Sequence, residues 1–73
     1  MKYLGMLREL DTFLNEYSAA NMIGKEFDYT QVRDLCERLK NEDPEKFSCF
    51  DTKGTDHELM VSVSNFFKKL LNV

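Results

Sequence analysis

Apolar residues recur every three or four positions along most of the chain, the period of a helix with one buried face. Tyr3, Leu7, Leu10, Leu14 and Tyr17 form the first such stripe, widened by Met6 and Phe13, with Arg8, Asp11, Thr12, Asn15 and Glu16 opposite. The pattern predicts a helix over about residues 2–20, stopped near Asn21 or Gly24, either of which tolerates the left-handed backbone of a helix end.

A second stripe, Val32, Leu35, Cys36 and Leu39, predicts a helix over about 29–41. Its start is marked by Asp28 as N-cap and Gln31 three residues on, the spacing of a capping box, while Phe27 and Val32 stand at the positions of a hydrophobic staple. Arg33–Glu37 and Asp34–Arg38 are opposite charges four apart and are expected to pair on the solvent face. Asp43-Pro44 reads as another N-cap followed by proline in the first helical position, which predicts a short fourth helical turn over 43–48. Thr55 and Glu58 form another capping box. It opens a last helix over about 56–72, whose apolar face is Leu59, Met60, Val63, Phe66, Phe67, Leu70 and Leu71.

The expected fold is therefore all-α: one helical domain over 1–73, a compact three-helix bundle with a short fourth helical turn between the second and last helices. One proline and three glycines in 73 residues argue against an all-β chain, which needs many turn residues. A domain of this size buries only about 60% of its unfolded surface, so a second copy or a partner protein would add stability. A homodimer is one expectation.

Charge narrows the function. The net charge is −3, without the basic footprint of a nucleic-acid binder. Between residues 28 and 51 seven acids (Asp28, Asp34, Glu37, Glu42, Asp43, Glu45, Asp51) outnumber four bases (Arg33, Arg38, Lys40, Lys46). Arg8, Glu9 and Asp11 interrupt any leader-like hydrophobic region, and no apolar run approaches the roughly 20 residues that span a bilayer. With the opening Met, this leads to the expectation of a free-standing cytoplasmic product, with Cys36 and Cys49 as free thiols.

Candidate chemistry is sparse. His57 falls in the first turn of a helix and Cys36 on an apolar stripe, so a Cys–His nucleophile pair is not expected. Cys36, Cys49 and His57 lack the close pairs of a zinc site. The acids after Asp51 fail the calcium-loop pattern, which needs acids at its third and fifth positions and glycine at its sixth. No catalytic residues, no metal and no cofactor are therefore expected, and the chain is not read as an enzyme.

What remains is surface. Glu42, Asp43 and Glu45 gather acids in a turn, suited to a basic partner. Tyr29 is an amphipathic ring of the kind enriched at interfaces, and Val61 lies on the polar side of the last helix. These five are the candidate partner-binding residues of a small non-catalytic interaction module, an adaptor or an inhibitor of a larger protein. The alternative is a small helical nucleic-acid-binding regulator, supported only by the number of helices.

Overall fold

A computed structural model of the chain describes residues 3–71. Three helices make up its regular structure: α1 Leu4–Ile23, α2 Tyr29–Glu42 and α3 Asp56–Leu71, with no strand among the described residues.

The helix ends follow from local chemistry. α1 stops at Gly24, whose φ of 67° is left-handed, and the Lys25 N–H donates to the Ala20 carbonyl (2.8 Å) in a Schellman-type closure. The helix thus outruns its apolar stripe, which ends near Ala20. Asn21, Met22 and Ile23 continue the backbone without burying anything, and Met22 and Ile23 stand in solvent. α2 starts at Asp28, whose carboxylate accepts the Thr30 N–H (3.0 Å) and the Gln31 side-chain amide (3.2 Å). At the start of α3 the capping box closes both ways: the Thr55 N–H donates to Glu58 Oε1 (2.9 Å) and the Glu58 N–H to Thr55 Oγ1 (3.1 Å).

The fourth helical turn expected over 43–48 is not a helix. The Phe47 N–H does reach the Asp43 carbonyl (3.1 Å) and the Phe50 N–H the Phe47 carbonyl (3.2 Å), but the bonds are isolated turns and no ladder follows. The connection from Glu42 to Asp56 has to bring the chain back along α2. Its path is pinned by the Lys40 ammonium, which donates to the Phe50 carbonyl (3.3 Å), and by Arg33, which donates to the Thr52 and Gly54 carbonyls (2.5 and 3.1 Å) and to Asp56 Oδ1 (2.9 Å). Arg33 is thereby taken from the expected pairing with Glu37. Its partner is on α3, because two backbone acceptors and a carboxylate converge there.

These anchors set the topology. Arg33 ties the start of α3 to the second turn of α2, while Phe66, late in α3, lies against Phe47 and Phe50 beyond the far end of α2 (5.6 and 5.0 Å between ring centres). α3 therefore runs in the same sense as α2, and α1, whose first residues meet Phe47 through Tyr3 (5.0 Å), runs against both. The core is Leu7 and Leu10 of α1, Val32, Leu35, Cys36 and Leu39 of α2, Leu59, Met60 and Val63 of α3, and Phe47 and Phe50 of the connection. The two phenylalanines are fully buried and stacked (5.6 Å), so this irregular segment supplies the largest side chains of the interior.

Candidate functional site

The candidate residues fall in three places. Tyr29 opens α2 and is half-buried in a triangle of rings with Tyr17 and Phe27, at 6.0 and 5.2 Å. Glu42 is the last residue of α2, thirteen positions further on and about 20 Å away along the helix axis. Asp43 is half-buried and serves the local backbone, since its Oδ1 accepts the Lys46 N–H (3.2 Å). Glu45 is exposed, its carbonyl taken by the Ser48 hydroxyl (3.2 Å). The fold keeps the three acids together in one turn and leaves Tyr29 at the opposite end of α2.

Val61 sits elsewhere, on the outer face of α3, with 44% of its surface exposed. It lines an open groove of about 1240 Å³ between α3 and the connecting segment. One wall is Lys46, Cys49 and Asp51, and α3 supplies the other from His57 to Leu70. Ser62 fixes the floor: its hydroxyl accepts the Asp51 N–H (3.0 Å) and donates to the Leu59 carbonyl (2.6 Å). The acidic turn adjoins this groove through Lys46.

The groove is polarised along its length. Asp51 and Glu58 lie toward the start of α3, Lys68 and Lys69 at its end, with Val61 and Asn65 between them. The hydrogen bond from the Thr55 N–H holds the Glu58 carboxyl below the usual glutamate range, which favours its charged form. Lys46 belongs to the basic end, its ammonium over the Tyr3 ring (5.3 Å) beside Phe47.

Sequence reasoning singled out Val61 but not the groove around it. The signal was present in α3, where Glu58 of the first turn and Lys69 of the last stand eleven residues apart and so share one side of the helix. The opposite wall comes from the connection, and periodicity says nothing of where an irregular segment lies. A smaller hollow of about 410 Å³ lies under the end of α1, lined by Phe13, Ala20, Ile23 and Phe27 among others.

The reactive side chains sit in different surroundings. Cys36 is buried, and burial pushes its thiol up to about 12, the opposite of activation. Cys49 and His57 both border the groove, and neither side chain makes a hydrogen bond among the described residues. No three His, Cys, Asp or Glu side chains gather as for a metal ion among the described residues. Nor, among them, is any helix long and apolar enough to cross a membrane. Comparison with protein-family models, with curated proteins and with solved structures finds no match to this chain.

Proposed function

We propose that this protein is a small non-catalytic interaction module, acting as an adaptor or as an inhibitor that covers part of a larger protein. The observation that carries the reading is the open face of α3. It sets an exposed valine in the middle of a groove with charged groups of both signs at its ends, next to the turn of Glu42, Asp43 and Glu45. Apolar centres with polar rims are the usual anatomy of a protein contact. The two free thiols suit a reducing, cytoplasmic setting. The mixed sign of the groove favours a protein over a nucleic acid, whose phosphates would meet Asp51 and Glu58 as well as the lysines.

The test is affinity capture from the native host with the wild-type chain and with Val61→Asp as bait, followed by mass spectrometry. A protein retained by the wild type and lost by the variant is the expected result. Equal retention by both baits would sink the assignment of this face. Salt-dependent binding to mixed-sequence DNA would replace the reading with the nucleic-acid one.

A further inference from the structure

We infer that the open face of α3 receives the same face of a second copy of this chain, the two helices lying antiparallel about a two-fold axis. This deepens, and rests on, the reading of that face as an interaction surface.

Charge complementarity and spacing along α3 single out a second copy. Glu58 and Lys69 are eleven residues apart, which is close to three helical turns, so they lie on one line of the helix surface roughly 16 Å apart. Lys68 stands beside that line, and Val61 and Asn65 occupy the surface between. An antiparallel copy centred near Val63 places its Lys68 and Lys69 opposite Glu58, and its Glu58 opposite Lys68 and Lys69. One contact pattern is thus made twice, as a two-fold interface requires. Val61 then meets the middle of the other helix near Asn65 and Phe66. A parallel copy would set like charges together. A uniformly acidic or basic segment would satisfy only one end of the face, whereas α3 itself carries both ends at the right separation.

The same features set the strength. Each copy contributes one exposed valine and parts of Phe66 and Leu70. Exposed ion pairs are individually weak, and a contact confined to one helix face falls in the small, weak class of interfaces. The dimer is a weak one, sensitive to salt.

Sedimentation velocity from about 10 µM to about 1 mM protein, at low salt and at about 0.5 M salt, tests this. The expected result is a concentration-dependent dimer whose dissociation constant rises at least several-fold with salt. Lys68→Glu with Lys69→Glu should abolish it, as should Glu58→Lys, and an equimolar mixture of the two variants should reassociate as a heterodimer, because both ends are again complementary. If Glu58→Lys loses helix by circular dichroism, Glu58→Gln replaces it. Gln keeps a capping side chain and removes the charge, and should weaken the dimer several-fold. A monomer at every concentration, a dimer indifferent to the lysine reversals and to Val61→Asp, or folded charge-swapped variants that fail to reassociate would each overturn the inference. The capture experiment reads a different molecule, so a strict monomer that still loses its captured partner on Val61→Asp leaves the broader reading standing.

Discussion

The Arg33 guanidinium and the Asp56 carboxylate meet at 2.9 Å, joining the second turn of α2 to the first residue of α3. The pair itself is the lesser part of the contact. The Asp56 side chain is 58% exposed, and an ion pair so open contributes about 0–1 kcal/mol. Arg33 is only 27% exposed and also donates to two carbonyls of the connection. Hydrogen bonds to a charged donor contribute about 1.5–3 kcal/mol. Arg33→Ala should therefore cost about 2 kcal/mol in urea unfolding and Asp56→Ala clearly less. Equal losses would show that the carboxylate, not the carbonyls, dominates.

The irregular connection should behave as core. Phe47→Ala removes a fully buried ring stacked on Phe50 and touching Tyr3 and Phe66. Such truncations cost about 3–5 kcal/mol, comparable to the whole stability of a small domain. The variant is expected to lose its cooperative thermal transition, while the milder Phe47→Leu keeps one at a lower Tm. A Phe47→Ala protein melting like the wild type would remove this segment from the interior.

The two cysteines should differ sharply toward a thiol reagent. Cys49 is exposed and Cys36 is buried, with its thiol pushed up to about 12. At mild alkaline pH one thiol per folded chain should react promptly, and the second only after denaturation. Mass mapping of the fast adduct should place it on Cys49. Prompt reaction at Cys36 would mean that α2 opens readily.

Glu58 should give acid stability a recognisable limb. Its folded pKa is lowered because its carboxylate accepts the Thr55 N–H. A lowered folded value means that the stabilisation is full above the unfolded glutamate value, near 4.3. It fades as pH falls through the folded value. In Glu58→Gln the melting temperature should fall less steeply between neutral pH and that acid range. Parallel profiles for the two proteins would remove this cap from the pH response.

Two glycines should respond oppositely to alanine. Gly24 holds the left-handed position that ends α1, and Gly24→Ala should cost about 1 kcal/mol. Gly5 lies within α1 with nothing within 4 Å of an added Cβ, so Gly5→Ala should stabilise by up to about 1 kcal/mol. Denaturant midpoints moving in opposite directions would verify both assignments.

Much of this fold is written locally. Burial of Leu10, Val32, Leu35, Cys36, Leu39, Leu59, Met60 and Val63 follows from spacing, because a period of 3.6 residues puts such positions on one side of a helix whatever lies opposite. The caps at Asp28 and Thr55 and the stop at Gly24 are equally local, since each closes hydrogen bonds within a few residues. The path of the connection is not local. Phe47 and Phe50 enter the core from a segment with too few turns to show a period, and Arg33 abandons its helical neighbour for acceptors about twenty residues downstream. The groove beside Val61 exists only because that path runs past α3 and Ser62 fastens it there. Helices and caps were therefore legible in order along the chain, whereas the candidate surface joins residues 46–51 to α3 and was decided by tertiary packing.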